Sequence, residues 1–138
     1  MTGAFVPTPE WLTLEWHHAT LAAGSLCVQR CGSCGRWRHP PRRRCPGCFS
    51  DVATFELVTG FGAVLSYAVS HRSLDPEWQE LVPFVTLVVE LDEGPRVVAA
   101  TELDRSEVVL GLRVALEVQR SSDDVAQLWA RLEAPLQR

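Results

Sequence analysis

Apolar and polar residues alternate along this chain with two different periods. Leu12, Trp16, Ala19 and Ala23 recur at helical spacing, and Gly24 follows as a stop. Thr8-Pro9-Glu10 supplies a cap, a proline at the first helical position and an acidic first turn. Trp11, Leu14 and His18 occupy other parts of the same circumference, so the predicted helix is apolar on more than one side. Two placements fit such a helix: against a partner subunit, which its breadth favours, or back on its own domain.

Beyond residue 52 the period shortens to two. Phe55 to Ser70 reads as one long strand, with Gly60 and Gly62 allowing a sharp bend. Phe84 to Leu91 is a β-branched run that Asp92-Glu93-Gly94-Pro95 turns into Arg96 to Thr101 as a hairpin. Leu112, Val114, Leu116 and Val118 alternate with Arg113, Ala115, Glu117 and Gln119, the pattern of a strand with one wet face. Ser121-Ser122-Asp123-Asp124 makes a turn into Val125 to Leu132, which reads as a last strand or, from Leu128 and Leu132, as a helix. Five strands with a bent first member predict a small closed barrel of the OB type, its interior taking Phe55, Phe61, Tyr67 and Phe84. The fold class expected is mainly β: residues 1–25 as a helical segment, 26–52 as a metal-bound ribbon and 53–138 as the barrel.

The ribbon follows from Cys31-Gly-Ser-Cys34 and Cys45-Pro-Gly-Cys48. Two thiolates three positions apart on a tight knuckle face one cation, and two knuckles complete the tetrahedral sulfur cage that zinc prefers. Two disulfides, or iron in the same cage, are the competing readings. A cage of four cysteines has no open coordination position, so the zinc is expected to be structural. Cys27, between Leu26 and Val28, reads as a small buried hydrophobe instead of a ligand.

Charge is unevenly placed. All thirteen basic residues are arginine, and six of them (Arg30, Arg36, Arg38, Arg42, Arg43 and Arg44) crowd the ribbon. Some balance the excess negative charge of four thiolates. Arg42, Arg43 and Arg44 go beyond balance and make a candidate anion contact. The absence of lysine excludes Schiff-base catalysis and a phosphate-loop lysine in this chain, and no catalytic motif is recognisable. Among the four histidines, only His71, beside Arg72 in a loop that also carries Trp78, has a functional setting. His39 reads as a surface or packing residue of the ribbon hairpin. A net charge of −4 argues against general affinity for nucleic acid or anionic membrane. With neither a membrane span nor a secretion signal in view, the expected location is cytoplasmic.

Taken together, Leu26-Cys27-Val28-Gln29-Arg30-Cys31, Cys34-Gly35-Arg36, His39-Pro40-Pro41-Arg42 and Cys45-Pro46-x-Cys48 carry a resemblance, which continues through Gly60-x-Gly62, Val82-Pro83-Phe84, Val89-Glu90-Leu91-x-Glu93-Gly94-Pro95-Arg96 and Gly111. The chain resembles the acyl-CoA-associated family that joins a rubredoxin-like zinc ribbon to an OB-fold. Cys27, Phe49 and the extra arginines at 43 and 44 depart from its pattern. The resemblance implies a non-catalytic accessory subunit of a thiolase-superfamily enzyme, thiolase or steroid side-chain retro-aldolase, with acyl-CoA at or near the interface. It implies no catalytic residue here. Trp11, Trp16 and Trp37 become candidate partner contacts, and His71, Arg72 and Trp78 a candidate substrate-entrance loop. A second class of function fits the same parts, a nucleic-acid-binding ribbon and barrel, and a third is a rubredoxin-like electron carrier.

Overall fold

The computed structural model describes residue 9 and residues 11–134. Thr8 and Glu10, read as the helix cap and first turn, lie outside the described residues. Helix α1 spans Trp11–Ala23. A three-stranded antiparallel sheet follows, β1 (Cys27–Cys31), β2 (Trp37–Arg38) and β3 (Ala53–Leu57), in the order β2-β1-β3. Next come β4 (Phe61–Ser70), the short helix α2 (Pro76–Gln79), β5 (Phe84–Leu91), β6 (Arg96–Thr101), β7 (Arg113–Ser122) and β8 (Val125–Leu132). These five strands close into a barrel in the order β4-β5-β6-β8-β7. Closure leaves no open sheet edge, and its one parallel contact joins β6 to β8.

The fold class expected from the sequence is the one found, and Val125 to Leu132 is a strand. One element differs. The single bent strand expected from Phe55 to Ser70 is two strands in two sheets, because β3 pairs along β1 from Cys27↔Leu57 to Cys31↔Ala53. The chain leaves the ribbon sheet at Leu57 and enters the barrel at Phe61. Close packing fixes the entry: a Cβ on Gly62 would collide with the backbone carbonyl of Glu90 on β5.

The barrel interior is aliphatic, contrary to the aromatic filling read from the sequence. Val64, Leu87, Val89, Leu91, Val97, Val114 and Leu128 are buried, whereas Phe61 is exposed and Phe55 lies in the ribbon sheet. An eight-residue alternation such as that of β5, with Val85, Leu87, Val89 and Leu91 inward, fills so narrow a barrel without rings.

Helix α1 packs on its own domain. Trp16 and Thr20 are its buried residues, and the Trp16 indole N–H donates to the Cys27 carbonyl at 2.7 Å. The Cys27 backbone N–H donates to the Thr20 hydroxyl at 3.4 Å. On the barrel side, His17 Nδ1 accepts from the Ala126 N–H at 2.9 Å, and His18 Nε2 lies 2.7 Å from Asp124 Oδ1. Trp16 is therefore a core residue at 6% exposure, which corrects its assignment to a partner interface. Its ring faces inward because an indole buried with its N–H satisfied gains the full apolar area of the ring.

Candidate metal centre and the surfaces around it

The two cysteine knuckles are built alike. In the first, the Gly35 N–H donates to the Cys31 carbonyl at 3.0 Å, the Cys31 N–H to Arg36 O at 2.8 Å, and the Ser33 N–H to Cys31 Sγ at 3.4 Å. In the second, the Phe49 N–H donates to the Cys45 carbonyl at 2.9 Å, the Cys45 N–H to Ser50 O at 2.9 Å, and the Gly47 N–H to Cys45 Sγ at 3.4 Å. The residue after each knuckle has positive φ: +76° at Gly35 and +64° at Phe49. Phe49 thus adopts the backbone that a glycine would take freely, at a cost of about 1–2 kcal/mol.

These turns bring four sulfurs to one point. Cys31 and Cys48 Sγ are 3.5 Å apart, as are Cys34 and Cys45 Sγ, and all four ligand atoms lie within 4.8 Å of one another. Tetrahedral zinc with bonds of about 2.3 Å requires sulfurs about 3.8 Å apart, so the donor set fits the ion. Among the described residues this is the one group of three or more such side chains placed to hold a metal. All four are free thiols, which removes the disulfide reading.

Backbone N–H groups, that of Cys34 first, pull the Cys31 thiol down to about 6. Cys48 is pushed up to about 11: the Ser50 N–H draws it down, but the Cys31, Cys34 and Cys45 sulfurs and burial together outweigh that. Four sulfurs this close resist full ionisation until a cation lies between them. The site is closed and structural, with nothing left over to bind substrate. Cys27 stands apart, buried, its thiol raised by burial.

Three arginines serve the knuckles directly. Arg30 Nε donates to Gly35 O at 3.0 Å, with its guanidinium 4.6 Å from the Trp37 ring and 3.8 Å from Glu56. Arg36 lies against Gly47, where a Cβ would meet its Cζ at 2.9 Å, and Arg44 donates to Phe49 O at 3.1 Å. Arg38 is buried at 6% exposure, an arrangement with no local signature in the chain. It donates to Gln29 Oε1 at 2.7 Å and to the Arg42 carbonyl at 3.0 Å, and Gln29 Oε1 also accepts from the Arg42 N–H at 2.7 Å. A buried guanidinium thereby fixes the backbone of the arginine turn. The candidate anion triple divides as a result: Arg44 turns back on the second knuckle, Arg43 lies 5.2 Å over the Trp11 ring, and Arg42 is exposed.

Large apolar side chains of α1 and the ribbon also reach solvent. Trp11 and Phe49 are each 72% exposed, and Val52 and Leu57 are exposed too. Trp37 is half-buried under Arg30. In the entrance loop, His71 and Arg72 are exposed, and Trp78 on α2 packs against Phe84 with ring centroids 5.0 Å apart. His71 and Trp78 both line a trough of about 1280 Å³ on the outside of the barrel. His39 is mostly buried beside Trp16, and burial first, then His17, lowers it to about 4.

Residues 20–55 match the sequence model of the ChsH2 rubredoxin-like zinc ribbon domain, and residues 56–119 that of the ChsH2 C-terminal OB-fold domain. A probable enoyl-CoA hydratase alpha subunit of Thermomonospora curvata is 38% identical over 94 residues, 67% of this chain. The chain spans 28% of the length of that protein. A DUF35 domain-containing scaffold protein of Methanothermobacter thermautotrophicus is 31% identical over 103 residues, covering 73% of this chain and 74% of the relative. Among solved structures, the Ltp2-ChsH2(DUF35) aldolase superposes with a TM-score of 0.80 at 28% identity, over 92% of this chain and 98% of the other.

Proposed function

The chain belongs to the ChsH2 family of DUF35 proteins, in which a rubredoxin-like zinc ribbon is joined to an OB-fold, and on that premise we propose that it is the accessory subunit of a thiolase-superfamily enzyme acting on acyl-CoA thioesters. One observation carries the reading. The ribbon is stiffened by a closed metal site and offers Phe49 beside Arg44, while α1 brings Trp11 beside Arg43; both rings are 72% exposed, a combination made for docking and not for chemistry. The ion that Cys31, Cys34, Cys45 and Cys48 would hold supplies rigidity only. Bond making and breaking belong to the partner, thiolase or retro-aldolase, in the degradation of lipid or steroid side chains.

Trp11 and Phe49 serve as apolar anchors, with Trp37 at the margin under Arg30. Arg42 and Arg43 pair with carboxylates of the partner or with CoA phosphates at the rim. The His71, Arg72 and Trp78 loop lies toward the acyl-CoA entrance. The names of two relatives, an aldolase complex and a hydratase subunit, support this class of partner.

Affinity capture of the zinc-loaded chain from its native host, followed by mass spectrometry, tests the proposal. A thiolase-like subunit should be retained and be lost with Phe49→Asp, which leaves the metal ligands in place. Recovery of nucleic acid, or turnover of a thioester by the isolated chain, would overturn it.

A further inference from the structure

The ribbon sheet has two edges, and they are unlike. One is β2, which is two residues long and runs into His39, Pro40 and Pro41. Brevity and proline are the usual guards of a sheet edge. The other edge is β3, five residues in unbroken register with β1. Its backbone groups alternate in direction, as in any antiparallel pair. The Gly32 N–H donates to Val52 O at 2.8 Å, and the Val58 N–H to Leu26 O at 3.3 Å. These two bonds fix the parity: Val52, Thr54, Glu56 and Val58 turn their amide and carbonyl groups toward β1. Ala53, Phe55 and Leu57 turn theirs away, and among the described residues those backbone groups have no hydrogen-bond partner. The strand contains no proline and no lysine, and no bulge interrupts its register. Val52 and Leu57, at its two ends, are 59% and 60% exposed.

A row of free donors and acceptors at strand spacing has one natural complement, another extended chain. We propose that β3 is completed by an extended segment of the catalytic partner, which joins the ribbon sheet as a fourth strand. This rests on the docking reading above and says how the docking is made. Area is the first argument for that occupant. An isolated pair of short strands is marginal in water, so the added strand needs apolar contact beside it. Phe49, the exposed ring of the second knuckle, lies four residues before β3 and supplies it. Charge is the second argument. Asp51 and Glu56 are exposed, and no basic residue occurs between 51 and 57. A second copy pairing through β3 would bring two sets of these carboxylates to one seam with nothing in either strand to meet them. The complement is therefore a β-branched, apolar segment that carries a lysine or arginine set to face Asp51. Main-chain bonds along β3 supply affinity, and that cation supplies choice.

The test is amide hydrogen exchange, read residue by residue, on the zinc-loaded chain alone and bound to the thiolase-like subunit retained in capture. In the free chain Thr54 and Glu56 should exchange slowly, and Ala53, Phe55 and Leu57 fast. Binding should slow those three amides about 10-fold or more. Leu57→Pro deletes an outward N–H and leaves the bonds between β1 and β3 in place, so Thr54 and Glu56 should stay slow. Its affinity for the purified subunit should fall about 5- to 10-fold, the equivalent of one lost hydrogen bond. Leu57→Ala, which keeps the N–H, should lose less. Fast exchange at Ala53, Phe55 and Leu57 in a complex that Phe49→Asp still abolishes overturns the strand addition and leaves the docking reading standing. Failure to retain any thiolase-like subunit overturns both. Slow exchange at the three amides in the free chain, whether monomeric or paired with a second copy, means that this chain covers its own edge and overturns the proposal.

Discussion

The ribbon and the barrel hold their shapes by different means. From Cys27 to Leu57 the buried side chains include Gln29, Arg38 and two metal ligands, and the apolar contribution is small. From Phe61 to Leu132 the buried side chains are almost all aliphatic, and the sheet closes on itself. One unit is held by coordination and by hydrogen bonds to a buried arginine, the other by area removed from water. The difference teaches where each can change. Surface residues of a metal-held loop vary freely while the four sulfurs stay in place, which is how Phe49 and three arginines come to be displayed there. A barrel interior tolerates little change in volume, so novelty appears on its outer face.

Removing the metal should break the comparison most sharply. Structural zinc in small fingers is worth about 10–16 kcal/mol, and the ribbon holds too little apolar area to replace it. A chelator, or Cys45→Ser, should collapse the amide signals of residues 27–57 while those of the barrel persist. Simultaneous loss of both sets would mean that the two units are one. Trp16→Ala probes the joint, because its ring packs within the common core and its indole N–H binds Cys27 O. A loss of about 3–5 kcal/mol in denaturant unfolding is expected, with ribbon and barrel transitions drawn apart.

Next in size is a pH effect. His39 is neutral in the fold down to about 4, whereas the unfolded chain takes up a proton near 6.5. Unfolded molecules therefore bind more protons in that window, and stability, fully present above 6.5, declines as pH falls toward 4. The loss is at most about 3 kcal/mol. His39→Phe should flatten this slope, while acid release of the metal continues in both proteins. An unchanged slope would place the titration elsewhere. Phe49→Gly should have the smallest effect and the opposite sign. Relief of the positive φ should stabilise the ribbon by about 1 kcal/mol in thermal unfolding, while capture of the partner weakens.

Legibility in the sequence followed the range of the interaction. The cysteine knuckles are local, so their spacing spoke directly. The strand Arg113–Ser122 was legible because alternation reports a one-sided environment, and Phe84–Leu91 because its residues are β-branched and apolar. The division of 55–70 between two sheets was not, since Gly60 and Gly62 permit a bend or a crossing equally well and only pairing with β1 decides. The docking of α1 was also hidden: a helix apolar on several sides does not announce which one is buried. The burial of Arg38 against Gln29 was not legible, because burial of a guanidinium depends on carbonyl and amide partners that come together only in the folded ribbon. The trough escaped for the same reason, being assembled from a helix, loops and strands that are far apart in the chain.

Contacts of His17 with Ala126, and of His18 with Asp124, span more than a hundred positions of the chain. During synthesis the helix therefore emerges long before the strand that receives it, and at roughly 5–20 residues per second it waits several seconds or longer with His17 and His18 without these contacts. A chaperone, or an early-arriving assembly mate, has its opening in that interval. The metal cage can close within it, since both cysteine pairs have already left the ribosome.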